Sequence, residues 1–436
     1  MGDVKEFPEE PFSSISRTKT ARTAGIEKGG ICRATLKKET MKNMNNFTYW
    51  NPTKIIFGRD ILKNLGEEMA LRGISRVLLV LYGEDFIFES GIYHRVTSSL
   101  EKANIAWEEL RGIRPNPLLG KVREGIRLFR EEKLEALVPL GGGSVYDTAK
   151  AIAAGVAYAP GDVWDLFEGT APVPEKTPPL FGVLTTSATG TEMNCSAVIT
   201  NEEKNLKWAL EDEALYPAVS MVDPSLQSTV PPRQTARGAI DTIAHTLEAY
   251  FDGTRGVQLM QEYGESLVRS ALRNGKILLE DPENYDARAE LAWTSTLALN
   301  GSTYAGKSTG DWASHEIAHS LGALYDVPHA TGLAVVMPAW MRYVCPEHPD
   351  LFARFAEKVF GISEGTEEER GMAGIEALKK AFLELGEPVA LNDLGLGKED
   401  IPGIVKNCFA QRKEPFGRLK PLYPEDVQAL LELALA

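Results

Sequence analysis

The chain has 436 residues and a formal net charge of −14, with 43% hydrophobic and 25% charged residues. That length leaves room for two or three domains with sizeable cores. The acidic balance, with no basic patch in the body of the chain, speaks against a nucleic-acid binder. No apolar run is long enough to span a bilayer. Four widely spaced cysteines (Cys32, Cys195, Cys345, Cys408) with no C-x-x-C pair rule against a disulfide framework and a cysteine-rich zinc site, and suit a reducing cytoplasm.

Residues 1–46 differ from the rest. EFPEEPFSS precedes a Lys/Arg/Thr-rich run from Arg17 to Lys42, and the lack of apolar periodicity predicts a disordered extension. The apolar core of about 7–15 residues that a signal peptide needs is missing. The basic run would suit a transit peptide, but Asp3, Glu6, Glu9 and Glu10 argue against one. Met41 and Met44, just before the first folded segment FTYWNPTKIIFG, are the favoured alternative starts.

From residue 47 to 230 strand and helix patterns alternate. RVLLVL (76–81) reads as a buried strand and GIYHRVTSSLEKA (91–103) as a helix. IAWEEL (105–110), the amphipathic helix GKVREGIRLFREEKL (120–134) and the strand EALVPL (135–140) come next. GGGS (141–144) then opens the helix SVYDTAKAIAAG, and LFGVLTT, SAVIT and AVSMVD supply further strands. Such alternation predicts a largely parallel, doubly wound sheet. After Pro231-Pro232 the patterns are all helical, so residues 231–436 form a second, all-α domain.

GGGS lies between an apolar strand and a helix. Glycines there let the backbone approach a ligand, and the helix start offers unpaired N–H groups to a pyrophosphate. The turn is not the full G-x-G-x-x-G fingerprint, and a tight turn is the plainer reading. Asp147 is either a helix-start charge or a ligand to the cofactor. TTSATGTEMN (185–194) is a second loop of small hydroxyl residues after a strand. Glu84 or Asp85, in LYGEDF, could bond the ribose hydroxyls and repel a 2′-phosphate.

Of six histidines, four (His245, His315, His319, His329) fall in one window of the helical region. Asp241 and His245 are four apart, as are His315 and His319, so each pair shares a helical face. His329 follows in the loop DVPHATG. A lone histidine on an apolar helix is usually a hydrogen-bonded core residue, but this grouping points to a metal. HEIAH (315–319) also matches the H-E-x-x-H helix of zinc proteases, in which both histidines bind metal and the glutamate is the base. A metzincin would place its third histidine at position 325, where Tyr325 stands. A protease would also leave Asp241, His245 and the nucleotide-like half without a role.

The motifs MNNFTYWNPTKIIFG, RPNP (114–117), GGGSVYDTAK, TTSATGTEMN, VDPSL, PPRQTARGAIDTIAHTLEAY and DWASHEIAHSLGALYDVPHATGLAVVMP identify a wider pattern. From about Asn45 to the C-terminus the chain resembles the iron-containing (group III) alcohol dehydrogenases, in their butanol-dehydrogenase-like branch. The resemblance implies a Rossmann-like dinucleotide-binding α/β domain followed by an all-helical metal-binding domain, the dehydroquinate synthase-like architecture. It implies that Asp241, His245, His315 and His329 hold one divalent metal, Fe2+ before Zn2+. His319 would then be a proton relay or substrate-orienting group near the nicotinamide, and Glu316 incidental. Cofactor contacts carry over onto Asn116, Gly142, Gly143, Ser144, Asp147, Thr185, Asn194 and Lys207. The NADPH-preferring members have small residues after the first strand; Glu84-Asp85 here favours NAD(H) over NADP(H). The expected activity is hydride transfer between nicotinamide and a primary alcohol or aldehyde, in a cytoplasmic homodimer that binds neither nucleic acid nor membrane. A glycerol-dehydrogenase-like enzyme, a metallohydrolase and a non-catalytic metal binder are the rival readings.

Overall fold

The computed structural model describes residues 43–83, 85–410 and 415–436. The extension expected up to residue 46 therefore lies outside the described residues as far as residue 42, and so does Glu84. Among the described residues eight strands occur: β1 Lys54–Phe57, β2 Arg76–Tyr82, β3 Ala106–Ile113, β4 Ala136–Gly141, β5 Phe181–Leu184, β6 Ser196–Asn201, β7 Leu206–Glu211 and β8 Val219–Val222. Six of them form one sheet in the order β1-β8-β5-β4-β2-β3, parallel throughout.

The sheet is covered on both faces, as a parallel sheet must be. The helices of this half are α1 Leu65–Ala70, α2 Phe86–Glu89, α3 Ile92–Lys102, α4 Leu119–Glu131, α5 Gly143–Ala157 and α6 Trp164–Phe167. Alternation along β2 divides the core. Leu78 and Val80 join the cluster that contains Val122 and Ile152 of α4 and α5, while Val77, Leu79 and Leu81 join Leu65 and Val96 of α1 and α3.

Two strands depart from the reading of the sequence. KIIF forms β1, an edge strand ahead of RVLLVL. NLKWAL is strand β7, and it draws SAVIT out of the parallel sheet into an antiparallel hairpin, with Ser196 opposite Glu211 and Asn201 opposite Leu206. Asn205, with φ of 52°, turns the chain between the two. Both segments are too short and too mixed in polarity for periodicity to mark them.

The second half is helical: α7 Pro232–Tyr250, α8 Gln258–Glu280, α9 Tyr285–Ala298, α10 Ala313–Tyr325, α11 His329–Val344, α12 Pro349–Phe360, α13 Glu367–Glu384, α14 Ile401–Cys408 and α15 Pro424–Leu433. Among the described residues its only β pairing is an isolated bridge between Phe416 and Leu422. None of the described helices is long and apolar enough to cross a membrane. Ile240, Ile243, Ile317, Leu321, Val336 and Trp340 are fully or almost fully buried where α7, α10 and α11 meet. His329 is not in a loop; it is the first residue of α11, behind Pro328 at the helix start.

The two halves close on each other at Gly238. A Cβ there would stand 2.1 Å from the backbone oxygen of Ser187, in the loop after β5. Alanine at this position gains about 1 kcal/mol of helix propensity, but overpacking against a fixed backbone costs about 1–3 kcal/mol. Gly238→Ala should therefore lower the unfolding free energy measured in urea. Unchanged stability would mean that the 185–194 loop is not held against α7.

Candidate metal and nucleotide site

Asp241 and His245 project from one face of α7, and both are buried. His315, also buried, comes from the first turn of α10, and the half-buried His329 from the start of α11. One ligand-type atom from each of the four lies within 4.8 Å of the others. The ring centroids of His245 and His315 are 4.7 Å apart, and those of His315 and His329 are 5.2 Å apart. Nothing within the group is hydrogen-bonded at normal length: Asp241 is 3.8 Å from His245 Nδ1 and 3.6 Å from His329 Nε2. Asp241 Oδ1, His245 Nδ1, His315 Nε2 and His329 Nδ1 are buried without a partner.

Buried polar atoms are ordinarily paired, so four such residues together are not a set of core histidines. Burial disfavours the charged imidazoles. It holds His245 down at about 4 and His315 at about 3, and puts His329 well below the usual range. The Lys207 ammonium adds to the effect on His315 and His329. All three rings are thus neutral at pH 7, with a lone pair to offer. Burial also raises the Asp241 carboxyl, against the pull of His245 and Lys207. One carboxylate oxygen and three imidazole nitrogens around a common point fit a divalent cation of the Fe(II) or Zn(II) kind.

His319 stands beside this group and not in it. Its ring stacks on that of His329 at 5.3 Å and lies 6.5 Å from that of His315. Glu316 is half-buried on the same helix. The two histidines of HEIAH therefore occupy different places.

The nucleotide side follows from the sheet. The order β3-β2-β4-β5-β8 reverses direction between β2 and β4, and ligands of such sheets bind beyond the strand ends at that point. Gly142 and Gly143 lie there, at the start of α5, and no side chain caps that helix. A Cβ on Gly142 would meet Tyr82 Oη at 2.9 Å, and one on Gly143 would meet the Thr189 side chain at 2.8 Å. Tyr82 Oη accepts a hydrogen bond from the Gly142 N–H (3.1 Å). Ser144 is half-exposed in the first turn, and the buried Thr185 hydroxyl has no partner. Two side-chain-free glycines, an uncapped helix start and an unpaired hydroxyl fit a pyrophosphate. Asp147, pushed up to about 6 by burial, accepts from the Val198 N–H (3.2 Å) and the Thr191 hydroxyl (3.4 Å). Asp85 is exposed at the start of α2.

Several residues that organise the site were not read from the sequence. Lys150 is fully buried in α5 and donates to Thr191 O, Thr191 Oγ1, Asn194 Oδ1 and Ser196 O at 2.8–3.0 Å. It fastens the 185–194 loop to the helix of the glycine turn, and Asn194 belongs to that fastening. Burial holds its ammonium at about 8. Lys207 donates to Asn116 Oδ1 (2.9 Å), and Asn116 Nδ2 donates to Asp326 Oδ1 (2.8 Å). Asp326 closes α10 in a left-handed conformation three residues before His329, so this chain of bonds ties the α/β half to a ligand-type residue.

Glu248, 1% exposed, also lies on α7. Its carboxylate contacts His315 Nδ1 at 2.7 Å and accepts from the backbone N–H groups of His315 and Trp312. Burial pushes Glu248 up to about 8, against those two backbone bonds. Trp312 has φ of 64°, a rare conformation for a bulky residue, and its ring lies 4.9 Å from that of His315. The D-x3-H-x2-E spacing on an apolar helix was the available signal for Glu248. A lysine alone among small apolar residues was the signal for Lys150.

Comparison with known proteins identifies the family. The model of the iron-containing alcohol dehydrogenase family matches residues 52–224, and that of its C-terminal domain matches residues 235–435. A probable NADH-dependent butanol dehydrogenase of Bacillus subtilis is 39% identical over 90% of this chain and 100% of its own. The NADPH-dependent aldehyde reductase of Escherichia coli is 35% identical over 83% of this chain and 92% of its own. The crystal structure of an NADH-dependent butanol dehydrogenase from Thermotoga maritima superimposes with a TM-score of 0.87, at 47% identity, covering 91% of this chain and all of that one. The chain belongs to the iron-containing alcohol dehydrogenase family, in its butanol-dehydrogenase-like branch.

Proposed function

We propose that the chain is a metal-dependent alcohol dehydrogenase and aldehyde reductase that uses NAD(H), with straight-chain substrates of the butanol and butanal kind. The observation that carries this reading is the meeting of two sites. A buried, unpaired N3O donor set lies in the helical half and a glycine turn at the switch point of the sheet lies in the other; Lys207 of β7, tied through Asn116 to Asp326, is within electrostatic reach of both Asp147 beside the turn and Asp241 in the donor set. NADH-dependent butanol dehydrogenases among the relatives support the cofactor preference, and Fe(II) is the metal proposed.

When bound, the cation would supply Lewis-acid polarisation of the substrate oxygen and the nicotinamide would carry the hydride. In this reading Asp241, His245, His315 and His329 would hold the cation, and the burial of the first three would keep bulk water off it. Gly143 and Ser144 offer backbone N–H groups to the pyrophosphate, and Gly142, whose own N–H is bonded to Tyr82, leaves room for it beside the turn. Thr185 offers its hydroxyl, and Asp147 and Asn194 shape the loop around it. Lys207, held by Asn116, directs a positive charge toward the nicotinamide end. His319 gives or takes the proton at the substrate oxygen, beside His329. Glu84 reads the adenosine ribose.

We also infer a homodimer working in the cytoplasm. An edge strand such as β1 is normally covered in natural sheets, and Phe47, Tyr49 and Trp50, just before it, are exposed. Cys195, Cys345 and Cys408 are free and buried.

The first test is absorbance at 340 nm with butanal and NADH, in parallel with NADPH, after chelation and after return of Fe(II) or Zn(II). Aldehyde-dependent loss of NADH that chelation abolishes and one metal restores is the expected result. No turnover with either cofactor would reject the reading. His245→Ala and His329→Ala should lose both bound metal and activity, measured by elemental analysis and turnover; full metal content in either would remove that residue from the ligand set. Glu316→Gln should keep turnover within about twofold, whereas a metallohydrolase would lose its base and with it several orders of magnitude. Glu84→Gly with Asp85→Gly should shift kcat/KM toward NADPH by about tenfold or more, since a carboxylate facing a 2′-phosphate costs at least about 1.4 kcal/mol. An unchanged ratio would show that neither carboxylate reads the ribose.

A further inference from the structure

His315 differs from the other ring ligands proposed for the metal in having a partner behind it. Glu248 follows Asp241 and His245 on α7 at spacings of seven and three, so all three lie on one helical face. Its carboxylate meets two backbone N–H groups and one ring nitrogen, all at the start of α10. Oε2 accepts from the Trp312 backbone. Oε1 accepts from the His315 backbone at 3.2 Å and lies 2.7 Å from His315 Nδ1. The backbone N–H groups of Trp312 and His315 both favour the ionised carboxylate, as does a cation in the centre, and an ionised carboxylate can only accept. In that form the ring contact is Nδ1–H donating to Glu248, which leaves Nε2 as the nitrogen with a free lone pair. Nε2 is the His315 atom that is buried without a partner. Among the described residues no hydrogen bond orients His245 Nδ1, and the Asp241 carboxylate stands 3.8 Å from it.

We infer that Glu248 is the positioning residue of the metal centre: it fixes the tautomer and orientation of His315 and thereby sets the affinity for the cation. This rests on His315 belonging to the ligand set proposed above. A carboxylate behind a ligating imidazole fixes the ring and raises its basicity, and loss of such a partner weakens metal binding about 10–100-fold. The competing account is that Glu248 only caps α10 through the Trp312 and His315 N–H groups. Glu248→Gln separates the two. The glutamine oxygen can still cap the Trp312 N–H, but its NH2 group then faces His315 Nδ1, and the His315 N–H beside it, as a donor. That contact selects the tautomer with the proton on Nε2, which leaves no lone pair there for the cation.

The experiment is competition of the apo full-length chain for Zn(II) against a chromophoric chelator, on the parent, Glu248→Gln and His315→Ala. Cobalt(II) absorption of the substituted proteins is recorded alongside, with circular dichroism to establish folding. The inference expects Glu248→Gln to be folded and to bind Zn(II) about 10–100-fold more weakly, with shifted cobalt bands, and His315→Ala to bind more weakly still. Affinity within twofold of the parent in a folded Glu248→Gln, with His315→Ala impaired, would overturn the positioning role and leave the ligand set standing. Parent-like affinity in His315→Ala would overturn the ligand set itself. If Glu248→Gln does not fold, 15N spectra of the zinc-loaded parent labelled at histidine decide the matter, the His315 signals being assigned from His315→Ala. A protonated Nδ1 supports the inference, and a protonated Nε2 overturns it.

Discussion

Four side chains from three helices can share a point only if those helices are fixed against sliding, and one residue of slip on a helix turns its side chains by about 100°. The packing of α7, α10 and α11 supplies that fixity. Small residues bring them close: Ala236, Ala239 and Ala244 are fully buried on α7, and a Cβ on Gly332 of α11 would lie 3.4 Å from the Cβ of Ala318 on α10. Glu248 and Asp311 then pin the start of α10. Asp311, pushed up to about 7 by burial, accepts from the N–H groups of Ala313, Arg418 and Leu419. The start of the helix that carries His315 is thereby bound to α7 on one side and to a C-terminal loop on the other.

The electrostatic character of the centre follows from its burial. Imidazoles in water would be partly protonated near pH 6.5 and would repel a cation. Here desolvation keeps them neutral far below that pH, and the Lys207 ammonium reinforces the effect on His315 and His329. Lys207 is itself strained toward neutrality, at about 8, and is kept from falling further by Asp147, Asp241 and Asp326. One cation thus reports on both halves of the molecule. It balances an acid near the glycine turn (Asp147), one in the candidate metal centre (Asp241) and one in the turn before His329 (Asp326).

Much of this was legible in the sequence, for reasons that differ by element. β2, β4 and β5 are apolar runs buried on both faces, and the amphipathic helices carry their own period. β1 and β7 were not legible: they have four and six residues, partly exposed, and β1 acquires its strand character from β8 far along the chain while β7 acquires it from the hairpin with β6. His329 reads as a loop residue because Pro328 and the Gly332 of HATG look like breakers. In fact Pro328 ends the turn and the helix absorbs the glycine, which lies against Ala318 of α10. Lys150 and Glu248 stand out in the sequence only as charges on apolar helices, Glu248 at D-x3-H-x2-E spacing. Their roles depend on what stands opposite them, and spacing within one helix cannot supply that.

HEIAH shows the same limit at its sharpest. The period of four puts His315 and His319 on one face of α10, and so far the motif is indistinguishable from that of a zinc protease. What separates the two histidines is the company on the neighbouring helices. α7 presents Asp241, His245 and Glu248 to His315, which is gripped from behind by Glu248 and gathered with the other ligand-type atoms. His319, one turn further on, has moved past the end of that row and faces the ring of His329 instead. A five-residue motif therefore fixes which face of a helix carries the histidines, and the helix packed against it decides which of them can meet a metal.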